Sequence, residues 1–436
     1  MIVARTRFTK LAIVALLLGM GAVSCAEHDD GPRTRRRGQV EIFSNWTAGG
    51  EEEALEVIID TYERAFPDVT VVNAAVAGGT KTREDELKKR MTENLPPDVF
   101  QVHGGRELIG AWVRPKGILD DSANKMEDVT FLFDQEGWRS AFPAQLLDIV
   151  SFHEKVYSVP INVHRGNAVF YNVRVFAEHG VAVPKTLDDL KDAAASLRAQ
   201  KVTPIALGTK YPWPIVMMFE DLLLARGGSA FFRDYFAGKK AGDGPIVRAA
   251  LEDLKSLFAF VNSDSATLSW DQAANKVGTG EAAMTFMGDW AKGFFISEKG
   301  GNMKPAVDFD AFPAPGTDGS FIVITDTFGL PKGATSRANA VELLRLSGGK
   351  ELQSAFSLKK GSIPARKDID VSQFDPMART TIHDFSTGEL VPSLAHGSAA
   401  DEEYATSIGV ALATFFIDRN VDKVLGILRA TYARLQ

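Results

Sequence analysis

Apolar residues recur along this chain in two alternating rhythms. Past Gly49-Gly50, Leu55, Ile58, Ile59, Tyr62 and Phe66 fall at intervals of one, three and four, which places them on one face of a helix. Glu51, Glu52 and Glu53 set anions at the positive start of that helix. On either side the pattern shortens to strand-like runs, at 40–44 before it and 69–73 after it. Thr82 with Asp85 has the spacing of a capping box ahead of Leu87 and Met91, and 98–103 predicts a third strand. This βαβαβ order implies an α/β fold with a largely parallel sheet and helices on both faces.

A long extended stretch, 159–171, leads into a second series of such units. Thr186 and Asp189 cap a helix carrying Leu187, Leu190, Ala194 and Leu197. A strand is predicted at 203–207 and helices at 215–225 and 246–261. Two lobes are the economical reading, with the ligand crevice between them at strand carboxyl ends. We expect lobe one to comprise 39–163 with 316–352, and lobe two 164–315 with 353–436, the chain crossing between them three times.

The N-terminus changes the picture. Arg5, Arg7 and Lys10 precede a short apolar run at 11–20, followed by Gly21-Ala22-Val23-Ser24-Cys25. This reads as a secretory signal peptide over 1–24, since a membrane span needs about 20 apolar residues. Cys25 is the single cysteine of the chain. With Ala22 and Ser24 it resembles a bacterial lipobox, although Ala22 stands where that pattern prefers Leu. The resemblance implies lipidation of Cys25 and a membrane-anchored lipoprotein on the periplasmic or extracytoplasmic face. Residues 25–38 are polar and include Arg33, Arg35, Arg36 and Arg37, as befits a solvated tether.

Of 436 residues about 400 remain for the globule, more than one core usually serves. The formal charge is −7, and no basic face stands out beyond the tether, which argues against nucleic-acid binding. The chain has no Gly-rich phosphate loop, no metal-ligand spacing among its seven histidines and no nucleophile elbow. Neither a cofactor, a metal nor a catalytic group is expected.

Several motifs point instead to a sugar. Phe43-Ser-Asn-Trp46-Thr-Ala-Gly-Gly-Glu51 sets an aromatic ring and a carboxylate at a strand end. Sugars need that mixture, an apolar face for their C–H groups and charged partners for their hydroxyls. Gly280-Glu-Ala-Ala-Met-Thr-Phe-Met-Gly-Asp289-Trp290 resembles the signature of extracellular solute-binding proteins of sugar ABC transporters. Leu268-Ser-Trp270-Asp-Gln, Thr325-Asp326-Thr-Phe-Gly, Lys359-Lys360-Gly-Ser-Ile-Pro, Leu394-Ala-His396-Gly and Phe100-Gln-Val-His103-Gly-Gly add to it. Together they resemble the glucose/mannose-binding branch of that maltose-binding-protein-like family, over nearly the whole mature chain.

The resemblance implies a two-lobed periplasmic-binding-protein fold of type II, closing on its ligand about a hinge without doing chemistry. It implies stacking by Trp270 and Trp290, and hydroxyl contacts from Glu51, His103, Asp326, Lys360 and His396. Trp46 matches one tryptophan of a pair, while Asn45 replaces its neighbour. Asp289 and Gln101 are second-tier candidates, and His164 is assigned to the interlobe crossing. The implied partners are a glucose-like monosaccharide and an ABC permease, with a monomer touching the membrane only through its N-terminal anchor. Read without the resemblance, the same tryptophans are ordinary core residues and Lys360 an ordinary surface charge. A sugar sensor for a chemoreceptor or histidine kinase would share this pattern. A secreted glycoside hydrolase would need one carboxyl held protonated, whereas Lys360 and two histidines beside Glu51 and Asp326 favour ionised acceptors.

Overall fold

The computed structural model describes residues 37–115 and 123–433. The signal peptide over 1–24, the lipidation at Cys25 and tether residues up to 36 lie outside the described residues. Among the described residues, no helix is long and apolar enough to cross a membrane.

Strands β1 (Gly38–Phe43), β2 (Val69–Asn73) and β3 (Val99–His103) arise where expected. A hairpin of β4 (Ser151–Phe152) and β5 (Lys155–Val156) follows, and the extended stretch resolves into β6 (Ser158–Pro160), β7 (Asn162–Arg165) and β8 (Ala168–Asn172). Next come β9 (Thr203–Ile205), β10 (Ala282–Phe286) and β11 (Phe309–Pro313). Last are β12 (Ser320–Ile324), β13 (Asp326–Gly329), β14 (Ile363–Pro364) and β15 (Glu389–Pro392).

These strands form a sheet for each lobe and one between them. The first has the order β2-β1-β3-β13-β6, the second β11-β8-β10-β9 and the third β14-β7-β12-β15. β1 is parallel to β2 and β3, as the βαβαβ order requires, but β13 runs antiparallel to β3 and β6. In the second sheet only β9 and β10 pair in parallel. The sheets are therefore more mixed than expected. The reason lies in the crossings: β7 leads from the first sheet toward β8, and β12 leads back into β13. β7 and β12 lie antiparallel, Val323 opposite Arg165 and Ile324 opposite His164. A strand that re-enters this way meets the first sheet from the opposite end.

The helix Gly50–Ala65 buries Ala54, Leu55, Ile58 and Tyr62 on the face its periodicity marks. They join Val40, Ile42, Val99 and Phe328 in one core. A second core holds Leu190, Leu197, Ile205, Phe219, Leu251 and Met284, and a smaller cluster beside it holds Phe170, Trp290 and Phe295. Leu352 and Phe356 of the helix Lys350–Lys360 pack in the first core, so the expected division at 352/353 runs through this helix. Thr186 and Asp189 form their capping box, with Thr186 Oγ1 accepting from the Asp189 amide at 3.1 Å. Thr82 does not start its helix. That element begins at Gly79, and Thr82 donates its hydroxyl back to the Gly78 carbonyl at 3.2 Å. The helix expected at 215–225 extends over Trp213–Phe236, bending at Gly228, whose φ is 70°.

Three helix ends meet through glycine. A Cβ on Gly50 would enter the carbonyl groups of Gly293 and Lys359, and one on Gly293 would enter that of Lys360. Bare backbone therefore lets the start of Gly50–Ala65, the helix Trp290–Ile296 and the end of Lys350–Lys360 touch. Gly50→Ala should cost about 1–3 kcal/mol, the usual penalty of overpacking a rigid contact. A urea midpoint lowered at unchanged slope is the expected result, whereas an unaltered midpoint would show that the junction yields freely.

Candidate functional site

The site is best built outward from Asp326, the first residue of β13, which faces His103 across the sheet. Its carboxylate is buried and must be met by donors. Gln101 Nε2 donates to Oδ1 at 2.6 Å and Asn162 Nδ2 to Oδ2 at 3.0 Å. The Asp326 amide returns a bond to Asn162 Oδ1 at 3.0 Å, which fixes the orientation of that side chain. His164 Nε2 stands 3.2 Å away, His103 Nε2 3.6 Å and Lys360 Nζ 3.8 Å. Burial alone would raise this carboxyl. Lys360 and the histidines outweigh it and hold Asp326 well below the usual carboxylate range.

Lys360 is the last residue of its helix, an end that favours a cation. Its closest partner is Glu51 Oε1 at 2.6 Å rather than Asp326. Glu51 belongs to the first turn of Gly50–Ala65, so this ion pair joins two of the helices that meet through glycine. The Trp46 ring lies under the ammonium at 5.6 Å, and packs against Phe328 and Phe356 at 5.7 and 5.2 Å. Trp46 touches the cleft, but nearly all its surface is spent on the core.

The aromatic wall comes from the other side. Trp290 opens a short helix after β10, and its ring centroid lies 4.9 Å from that of His396. Trp213, at the start of its own helix, stands 6.0 Å from Trp290 and 5.6 Å from His396. Trp270 opens a third helix, capped by Ser269 and Gln272, and stays half-buried beside Phe294. A cleft of about 290 Å3 lies between these groups. Trp46, Glu51, His103, Trp270, Trp290, Asp326, Lys360 and His396 all line it, together with Gln101.

His164 also lines the cleft. It does lie on the crossing strand β7, as assigned, but its ring additionally bridges Asp326 to the buried Asp289. Burial would lower its pKa; the Asp289 carboxylate prevails and raises it. His396 goes the other way, pushed well below 6.5 by burial and then by His103 and His164. Trp213 and Glu107 were among the groups that escaped the sequence reading. Trp213, in Tyr211-Pro-Trp-Pro, carried no signal beyond its proline-marked helix start. Glu107 accepts from His103 Nδ1 at 2.7 Å and pairs with fully buried Arg83; its spacing of four from His103 was the available clue.

A cleft lined by strand ends, helix starts and the crossing strands β7 and β12 fits the two-lobed architecture of solute-binding proteins. Sequence comparison agrees. The family model described as bacterial extracellular solute-binding protein matches residues 48–353. An uncharacterized ABC transporter extracellular-binding protein of Pyrococcus horikoshii is 33% identical over 423 residues, covering 95% of this chain and 92% of its own. The xylose/arabinose-binding protein XacG of Haloferax volcanii is 29% identical over 367 residues, covering 83% and 77%. Among solved structures, the bacterial solute receptor AcbH, described as preferring β-D-galactopyranose, is similar with a TM-score of 0.78 at 17% identity, covering 92% and 99%. The chain belongs to the bacterial extracellular solute-binding proteins. It is an exported binding protein, not an enzyme.

Removing one partner of a buried ion pair typically costs about 3–5 kcal/mol. Lys360→Met should destabilise on that scale by stranding Asp326 and Glu51. Asp326 itself is depressed on folding, so its contribution is complete above the unfolded carboxylate pKa of about 3.9 and is lost as pH falls through the lower folded value. Denaturant melts between pH 2 and 7 should show a flatter acid limb for Asp326→Asn than for the wild type. Parallel limbs would mean that folding does not lower the pKa of Asp326.

Proposed function

We propose that the cleft binds a single glucose-like hexose and that lobe closure delivers it to an ABC-type permease. The observation that carries this reading is the convergence of Asp326, Gln101, His103, His164, Lys360 and His396 on a cleft of about 290 Å3 flanked by Trp270 and Trp290. Tryptophan supplies a flat apolar surface for the C–H face of a pyranose. Charged groups around it suit hydroxyls that both donate and accept. The volume sits at the low edge of the ~300–1,000 Å3 typical of small-molecule pockets, which favours one ring over a chain of them. The named ligands of the Haloferax volcanii relative, xylose and arabinose, are likewise monosaccharides.

In this reading lobe one is drawn from about 39–163 with 316–352, together with the remainder of the helix Lys350–Lys360 and β14. Lobe two takes 164–315 and the rest of 353–436. β7, β12 and the segment after β14 serve as the hinge. The protein acts as a monomer tethered by a lipid at Cys25.

Each charged hydrogen bond contributes about 1.5–3 kcal/mol, so Asp326→Ala should weaken hexose binding by roughly tenfold or more, and Trp290→Ala nearly as much. Calorimetric titration of ligand-stripped wild type and both variants with glucose, galactose, mannose and maltose decides it. Unchanged affinity in both variants would remove the site, and a preference for maltose over every hexose would remove the substrate class.

Cys25→Ser should move the protein from the membrane to the soluble fraction without altering sugar affinity, because stable anchoring needs attached acyl chains. A wild-type protein that is already soluble and retains residues before Cys25 would refute the anchor.

A further inference from the structure

The loop that carries His396 is tied to a carboxyl that does not line the cleft. Glu220 lies two turns into the helix Trp213–Phe236 and is fully enclosed. Its Oε1 accepts the backbone N–H groups of Leu394 and Ala395, the latter at 3.2 Å. Its Oε2 stands 3.1 Å from Ser393 Oγ. Ser393 Oγ accepts the His396 amide at 3.2 Å and lies 3.3 Å from His396 Nδ1. Side chains thus form a continuous row: Glu220 Oε2, Ser393 Oγ, His396 Nδ1.

A serine hydroxyl has one proton to give, so this row can run in only one direction at a time. With Glu220 ionised, Ser393 donates to the carboxylate and accepts from Nδ1–H, which leaves Nε2 of His396 a bare acceptor. With Glu220 protonated, the carboxyl donates to Ser393 and Ser393 donates to Nδ1. The imidazole then carries its proton on Nε2 and becomes a donor. We propose that Glu220 is a positioning residue for ligand recognition, setting through Ser393 whether His396 offers the sugar a donor or an acceptor. The proposal rests on reading the cleft as a hexose site, where Glu51 and Asp326 already supply acceptors and a donor nitrogen complements them.

The surroundings let Glu220 change state near neutrality. Burial pushes it up to about 8, against the opposing hydrogen bonds from Leu394, Ala395 and Ser393. Asp221 beside it is raised well above its usual range by burial and then by Glu220, with Arg165 the cation acting on it. On the cleft side His396 faces His103, His164, Asp326 and Lys360. Burial and the two histidines keep it neutral, so its tautomer changes while its charge does not.

Nitrogen-15 NMR of the imidazoles in sugar-free protein reads the tautomer directly, with His396 identified by its loss in His396→Gln. In the wild type we expect Nε2–H at pH 6.5, giving way to Nδ1–H by pH 9.5. Glu220→Gln, whose amide donates permanently, should hold Nε2–H throughout, and Ser393→Ala should abolish the response. A wild-type tautomer that ignores pH, or that shifts equally in Glu220→Gln, overturns the proposal. Hexose affinity should fall at least severalfold between the two pH values in the wild type and stay level in Glu220→Gln; an equal fall in both also overturns it. Failure of the wild type to bind any hexose would reject the ligand reading, and the tautomer measurement would still decide the role of Glu220.

Discussion

One buried negative charge sets the terms for the structure around it. A carboxylate withdrawn from water costs several kcal/mol unless donors replace the lost hydration. Asp326 meets that demand with groups from β3, from the start of β7 and from the end of the helix Lys350–Lys360. These segments are far apart in the chain, so they can satisfy Asp326 only in the folded arrangement. Of these groups Gln101, His164 and Lys360 also line the cleft, as does Asp326 itself. The contacts that stabilise the buried charge and the lining of the cleft therefore overlap, so these cleft side chains are oriented by a fixed charge.

Close to that charge three helix ends also approach one another, because glycines at 50, 293 and 361 remove the Cβ atoms that would hold the backbones apart. Glu51, Trp290 and Lys360 sit at those ends. The Glu51–Lys360 bond of 2.6 Å then joins two of them electrostatically. Since the helix termini also carry partial charges, a carboxylate at a start and an ammonium at an end are each in their favoured place. Packing and electrostatics act in the same direction here.

Much of the candidate site was legible only through the family resemblance of short motifs; read by local chemistry alone, its tryptophans are ordinary core residues and Lys360 an ordinary surface charge. Tryptophans after a strand or before a helix, glycines beside a carboxylate and a lysine just before a glycine stand in short motifs, and all eight residues marked by those motifs line one cleft. What each does there was less legible. Trp46 spends its ring on Phe328 and Phe356, and Lys360 turns to Glu51 before Asp326. Both outcomes depend on neighbours some three hundred positions away, which no local pattern encodes. Trp213 and Glu220 were missed because their partners likewise lie far off in the chain, whereas Glu107 and Ser393 stand four and three positions from histidines they contact and were simply not singled out.

By itself, then, the sequence determined the periodic elements, the alternation of strand and helix, and the residue types fit for a polyhydroxylated ligand. Those follow from side-chain period, capping chemistry and hydrogen-bonding capacity, properties that a dozen neighbouring residues suffice to express. Tertiary structure decided the direction in which β13 returns, and hence the mixed sheets. It also decided that His164 serves both the crossing strand and the cleft, and that its pKa is raised while that of His396 is lowered. Strand direction depends on where a distant crossing re-enters, and a histidine's protonation on the charges assembled around it. Both are set only when remote segments pack together.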